Sequence, residues 1–581
     1  MMQIHHNPNS PSPLRPPVPE RMRINSERLG ALPILNHFLG RLHLPRHLAR
    51  ALPTTEAALT FGKVLGVLLR NLILDRGPVY GTERWVIPFS PYLLDLAPEE
   101  VRLLNDDRGG RALDALFDAD RASLLSAVVV EAIREFRLDL SELHNDSTSV
   151  TFSGAYPDAN GGLLRGKLTV ALRRSAHNKE HRPDLKQLVW ILTVTADGAV
   201  PIHYKVADGN TEDSTTHRAT WETLRTLTGT PDFLYVADCK LATSAAMTYI
   251  HEQKGRFLTV LPETRKEEGA FRAWLQDHAP AWQDVPLTRE ERAQGETLPQ
   301  WRTVEAPERS REGFPIVWVW SYEKERRDQA ARAETLNQAI RHLEALENRL
   351  QNPRCKIRTR EGVVEAAEKA RGKAAARWVD YEIREEEVPR FQQERRGRPG
   401  KNTRYRRQTK VRWHVDWQER REAIVYDAKS DGMFPLITND EKMTGEKLLA
   451  SSKYQPYLEK RFEQFKTVYK VAPIYLKKVS RIEGLLCLYF LALLVQALIE
   501  RELRRAMKRE GIVSLPVYPE ERECRAPTTG KVLKLFEDVQ VHRAWQEGRL
   551  LHTEQPELDE LQRKIVWLLG MPEASYRAPE G

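Results

Sequence analysis

Cysteine is scarce in this chain. Its four residues, Cys239, Cys355, Cys487 and Cys524, are dispersed among 581 and form no CxxC pair. That spacing excludes a zinc ribbon and a secreted disulfide framework, and leaves a reducing cytosol as the simplest setting. Histidines at ligand spacing are lacking too: His144, His177, His181 and His203 are too scattered for a zinc centre. The glycine-containing stretch 161–166 has no Lys-Ser or Lys-Thr ending, so a phosphate-binding P-loop is excluded. The opening MMQIHHNPNSPSPLRPPVPER has no apolar segment of the kind a signal peptide needs and reads as a flexible leader. A full membrane span is also missing. The apolar run 484–499, GLLCLYFLALLVQALI, is shorter than the roughly 20 residues required, contains Gln496 and continues as the charged ERELRRAMKRE. It is expected to be a buried helix with a solvent-exposed continuation, and no membrane partner is expected.

What is present points to a folded, moderately basic protein. A hydrophobic content of 41% over this length supports substantial cores, arranged as about three or four domains. Lys and Arg number 90 against 81 Asp and Glu, for a net charge of +9 and a pI near 9.2. Such a balance suits a polyanionic partner without specifying one.

The patterning changes along the chain. Residues 29–128 carry apolar residues at helical spacing, punctuated by proline and glycine, and predict a compact helical domain. Strand-like alternation follows at 141–150, 187–195 and 200–206, with an Asp-Gly turn at 197 and 198. Helical character at 215–227 and 242–251 alternates with the apolar runs 233–237 and 256–261, which predicts a mixed α/β unit. Asp146 and Asp238 are expected on internal strands of one sheet. Asp184, Asn210 and Asp213 read as turn and capping residues.

From 262 to 426 charge is dense, with a helix expected near 323–350. Residues 421–440 are expected to resume strand alternation, and 441–468 reads largely as helix, disturbed at Pro456. In that helix Leu458, Phe462 and Phe465 form one apolar stripe, and Glu459 stands seven residues before Lys466, two turns along a similar side. The expected order is a leader over 1–25, a helical DNA-binding or accessory domain over 26–135, and the first part of the α/β core over 136–262. An insertion over 263–430, the last part of the core over 431–510 and a C-terminal accessory region over 511–581 complete it.

Within the insertion, RRGRPGKNTRYRRQTKVR contains no acid. Its basic residues are Arg395, Arg396, Arg398, Lys401, Arg404, Arg406, Arg407, Lys410 and Arg412, with Tyr405 among them. A charge run is commonly a solvated face. Here the single sign and the aromatic residue favour DNA, with cations neutralising phosphates and Tyr405 available to stack.

Three acids held together repel one another unless a cation shares them. Mg²⁺ or Mn²⁺ accepts such oxygen ligands, and a pair of ions about 4 Å apart activates water or a 3′ hydroxyl against a phosphodiester. Spacing alone does not select three acids among 81.

A family resemblance does. HNDSTSVTFSGAY from 144, HRPDLKQLVW from 181, VADGNTEDSTTHR from 206, LYVADCKLAT from 234, YLEKRFEQFK from 457 and APIYLKKVSRIEGLLCLYFLALLVQALIERE from 472 resemble the motifs of bacterial insertion-sequence DDE transposases. The resemblance is to the branch with a β-rich insertion in its RNase-H-like core, the insertion sequence 4 superfamily. It implies an α/β fold, an RNase-H-like mixed sheet with flanking helices, a large inserted β-rich domain and an N-terminal helical domain. The acids it implies are Asp146, Asp238 and Glu459, acting as catalytic residues and as ligands of two Mg²⁺ or Mn²⁺ ions. Lys466 matches the family's lysine, whereas its tyrosine and arginine positions fall on Ser452 and Gln455, leaving Tyr454 and Arg461 as substitutes near DNA. The partners implied are double-stranded DNA, namely terminal inverted repeats and target DNA, and a second copy of the chain when ends are bound. The setting implied is the cytoplasm, with the protein associated with bacterial DNA. Two other readings stay open: a catalytically inactive, transposase-derived DNA-binding protein, and a metal nuclease without strand transfer.

Overall fold

The computed structural model describes residues 22–579 except 56, 76, 175–183, 287–298, 469–475 and 548. Most of the expected leader, His177, His181, the start of the motif at 181 and most of the first residues of the motif at 472 lie outside the described residues. The chain forms two compact units, one of Met1–Phe233 with Tyr454–Gly581, the other of Leu234–Lys453.

The first unit opens with strand β1 (Arg23–Arg28) and helices α1 (Leu32–Arg41), α2 (Leu44–Ala51), α3 (Phe61–Leu74), α4 (Asp106–Asp118) and α5 (Arg121–Phe136). Local chemistry sets several starts. Thr60, Asn105 and Asp120 cap α3, α4 and α5 by accepting backbone N–H groups at 3.4, 2.9 and 3.1 Å. In α3 the buried Val64, Leu65, Leu68, Leu69 and Leu72 recur at helical spacing. Strands β2 (Glu142–Phe152), β3 (Lys186–Thr195) and β4 (Pro201–Asp208) form the expected antiparallel meander, followed by α6 (His217–Thr228).

The second unit begins with β5 (Leu234–Ala237), α7 (Ser244–Glu252) and β6 (Arg256–Val260), a βαβ crossover whose strands pair in parallel. Helix α8 (Lys266–Asp277) precedes β7 (Trp301–Glu305) and β8 (Ile316–Ser321). Two helices, α9 (Tyr322–Gln351) and α10 (Arg360–Ala375), then support a long ribbon of β9 (Val379–Gln393) and β10 (Tyr405–Glu419). Helix α11 (Arg421–Ala428), β11 (Met433–Thr438) and α12 (Gly445–Ser452) close the unit. β11 pairs antiparallel with both β6 and β8, so parallel and antiparallel ladders share this sheet. Residues 421–428 are helical, where strand was expected: alternation resumes only after the Asp431–Gly432 turn, and Gly432 takes φ +78°.

The chain returns to the first unit through α13 (Gln455–Glu463) and α14 (Val479–Arg509), and ends with β12 (Gln540–Gln546), β13 (Arg549–Glu554) and α15 (Glu560–Leu568). One expected helix is two here. Proline lacks an N–H and is suited to a first turn, so Pro456 begins α13 where a continuous helix would have lost a hydrogen bond. Helix α14 is long and apolar enough to cross a membrane, but its apolar stretch is wholly buried in the unit. Its close approach to α4 depends on Gly484, where a Cβ would meet the Leu113 carbonyl oxygen at 2.6 Å. Within the C-terminal residues the β12–β13 hairpin takes β1 as a third strand, and α15 follows it.

The fold class is the expected one. It is α/β and RNase-H-like, with a mixed sheet flanked by helices, an N-terminal helical region and strands in the insertion. The insertion also holds the two long helices α9 and α10.

Candidate functional site

Asp146 lies in the middle of β2, opposite Leu192 of β3. Opposed residues of an antiparallel pair point to one side, and every second residue shares that side. Asp146 therefore shares a sheet face with His144, Thr148 and Trp190. Helix α13 and the residues that flank it pack on this face: Trp190 stacks on Phe465, just past the helix, with centroids 3.9 Å apart and meets Phe462 edge-on, while His144 contacts Tyr454, just before it, at 4.7 Å. Leu458 and Phe462 anchor the helix, and Glu459 between them is exposed. The apolar stripe read from the sequence thus brings the helix of Glu459 onto the strand face of Asp146. The Asp146 carboxylate accepts from Ser147 N at 2.7 Å, and the Ser147 hydroxyl donates to Asp213 at 2.7 Å.

Asp238 belongs to the second unit, one residue past β5. It caps the turn Cys239–Leu241 by accepting Lys240 N at 3.0 Å, and Thr259 donates its hydroxyl to the Asp238 carbonyl at 2.6 Å. Burial, with Asp238 alongside, raises the neighbouring Cys239 thiol above its usual range. Among the described residues, no group of three or more His, Cys, Asp or Glu side chains stands close enough to hold a metal ion. The carboxylates have the right donor chemistry for Mg²⁺ or Mn²⁺.

The accessory residues expected near DNA have partners within the protein. Arg461 is 5% exposed. Its guanidinium donates to the carbonyls of Ala199 and Gly198 at 3.0 and 3.2 Å, bonds Gln464 at 2.9 Å and pairs with buried Glu500 at 3.0 Å. It is a clamp on the Asp197–Gly198–Ala199 turn, which Arg501 also holds through Asp197. A buried carboxylate and two carbonyls attract the cation inward. Tyr454 is half-buried, stacks on Tyr457 at 4.6 Å and has its phenol pushed up to about 12 by burial. Lys466 is half-buried in a π turn, Gln464–Val468. The wider turn breaks the seven-residue α spacing that would align it with Glu459.

The basic run spans the tip and one strand of a long ribbon. Arg395, Arg396, Arg398, Lys401 and Arg404 occupy the connection at the tip of the ribbon, and Tyr405, Arg406, Arg407, Lys410 and Arg412 lie on β10. The ribbon base is fixed. Val379 and Val415 are buried with Leu343, Leu346, Val363 and Ala367 of α9 and α10, and Glu347 accepts Val415 N at 2.7 Å. His414 bridges Glu347 at 2.9 Å and Glu386 at 3.1 Å. The distal ribbon is exposed, with Phe391 at 63% and Tyr405 at 49%. β9 was not read as a strand because EIREEEVPR has little apolar alternation, so Arg390, Phe391 and Gln392, which face the basic run across the ladder, were missed. The signal for them was the length of β10's own alternation, Val411, Trp413, Val415, Trp417, which requires a partner.

No family model and no curated protein matches the chain. Among solved structures it is similar to the piggyBac transposase synaptic complex with hairpin DNA, at 9% identity, TM-score 0.25, over 52% of this chain and 63% of that one. It is also similar to the Mos1 mariner paired-end complex with Mn, at 10% identity, TM-score 0.14, over 36% and 60%. Both scores are below 0.5, and the chain spans less than two thirds of either protein's length.

Proposed function

We infer that this chain is a metal-dependent DNA transposase of the DDE class, with Asp146, Asp238 and Glu459 as its acids. The observation that carries the reading is the packing of α13, bearing Glu459, on the face of β2 that bears Asp146. Asp238 at the end of β5 supports it within its own unit. The exposed basic ribbon supports DNA as the substrate, since its cations suit a phosphate backbone. The reading includes Mg²⁺ or Mn²⁺, terminal repeats and target DNA as partners, pairing of two copies on the ends, and a cytoplasmic setting on bacterial DNA. It also includes the insertion sequence 4 branch.

The test is strand cleavage by purified protein on duplexes carrying the element's ends, with Mg²⁺ or Mn²⁺ added. Asp146→Asn, Asp238→Asn and Glu459→Gln keep size and remove a charged ligand. Each is expected to lose most cleavage and to keep its DNA affinity. A variant that cleaves at the wild-type rate removes that acid from the assignment.

A further inference from the structure

The distal ribbon has two unlike faces. In an antiparallel ladder, directly opposed residues share a side and neighbours alternate. One face carries Arg390 opposite Gln408 and Gln392 opposite Arg406, followed toward the base by Lys410 opposite Val388 and Arg412 opposite Glu386. The other carries Phe391 opposite Arg407 and Gln393 opposite Tyr405, in line with the core-facing Ile383 and Val415. Nearer the base, acids answer the cations: Arg384 pairs with Asp416 at 3.0 Å, and Glu386 meets His414 at 3.1 Å and Arg412 at 3.8 Å. Among the described residues, Arg390, Arg406 and Lys410 have no carboxylate partner.

We propose that the Arg–Gln face of this ribbon enters the major groove of duplex DNA and reads base edges, so that the insertion supplies sequence discrimination as well as phosphate contact. The inference rests on the DNA reading above. A two-stranded ribbon fits a groove about 12 Å wide, and the seven distal residue pairs extend roughly 24 Å at about 3.4 Å per residue. The residue types decide between readout and mere neutralisation. Glutamine adds nothing to charge neutralisation, yet its amide matches the N6 and N7 edge of adenine, as arginine matches O6 and N7 of guanine. Two opposed Arg–Gln pairs place both kinds of donor side by side on a ladder whose base is anchored by α9 and α10. The tip cations, Arg395, Arg396, Arg398 and Lys401, then flank the groove where phosphates lie.

The experiment selects bound sequences from a pool of randomised duplexes with the whole chain, then sequences them. Wild type is expected to enrich a preferred sequence. Gln392→Ala with Gln408→Ala is expected to keep affinity for the unselected pool and its salt dependence, while enrichment falls about tenfold or more. These side chains are exposed, and an unchanged melting temperature checks the fold. In a second arm the preferred duplex carries 7-deazaguanine and 7-deazaadenine, which lack N7 in the major groove. Wild type should lose its preference there, and the double variant should lose nothing further. The proposal is overturned if wild type enriches nothing, if the double variant enriches the same sequence equally, if the deaza duplex binds undiminished, or if single strands compete better than duplex. Cleavage is scored separately. Absent selection beside acid-dependent cleavage would overturn the ribbon readout alone, and normal selection without any cleavage would overturn the transposase reading alone.

Discussion

Arg461 and Glu500 each leave only 6% of their side chains exposed. A buried carboxylate without its cation is costly, and breaking such a pair typically costs about 3–5 kcal/mol. Arg461→Ala should therefore lower the unfolding free energy by that order in a denaturant titration, with DNA affinity following only the folded fraction. An unchanged unfolding midpoint with weakened DNA binding would return Arg461 to the DNA surface. The hydrogen bond of His414 to Glu386, helped by Glu347 and opposed by burial and Arg384, raises the histidine's pKa above the ordinary 6.5. A raised value means that the protonated form is favoured by folding. The stabilisation is complete below pH 6.5 and is lost as pH rises through the raised value. The difference in stability between wild type and His414→Ala should accordingly be larger at acidic than at alkaline pH, and an equal difference at both would contradict the bridge.

At the scale of elements, α4 and α14 approach through glycine. Gly484→Ala puts a methyl against backbone, which cannot swing aside as a side chain can. Overpacking of this kind costs about 1–3 kcal/mol, and a thermal melt of the variant should show it. A melt equal to wild type would mean that the helices separate freely. The same elements show what was legible. Helices α6 and α7 and strands β2, β3, β4 and β6 fall within a few residues of their expected ranges, because half-buried or fully buried strands and capped helices write their period into the sequence. Residues 421–428 were misread because eight residues cannot separate strand alternation from a short helix with little amphipathicity. The ribbon was only half legible: β9 is exposed over most of its length, so water imposes no apolar period on it. The inward turn of Arg461 was not legible for another reason. Its partner Glu500 lies 39 positions away on α14, and sequence carries no trace of which charge turns inward.

At the scale of the whole molecule, the proposed reading assigns different parts of the chemistry to the two units. The first contributes a strand acid and an exposed acid on the helix that packs over that strand, and the second an acid at a strand end and a basic ribbon on a fixed base. The three acids are proposed through resemblance, since 81 carboxylates offer countless triplets by spacing alone. The central claim is that these parts make a transposase, and joining is its most direct test, because cutting alone is also the work of a nuclease. Two ions that activate water for cleavage can equally position a 3′ hydroxyl for transfer. Purified protein, supplied with Mg²⁺ or Mn²⁺ and duplexes ending in the repeats that flank its coding region, is to be mixed with a target plasmid and the products sequenced. The account predicts element 3′ ends covalently joined to target DNA, abolished by Asp146→Asn. Folded protein that binds the repeats yet yields neither nicks nor joined ends with either metal would contradict it.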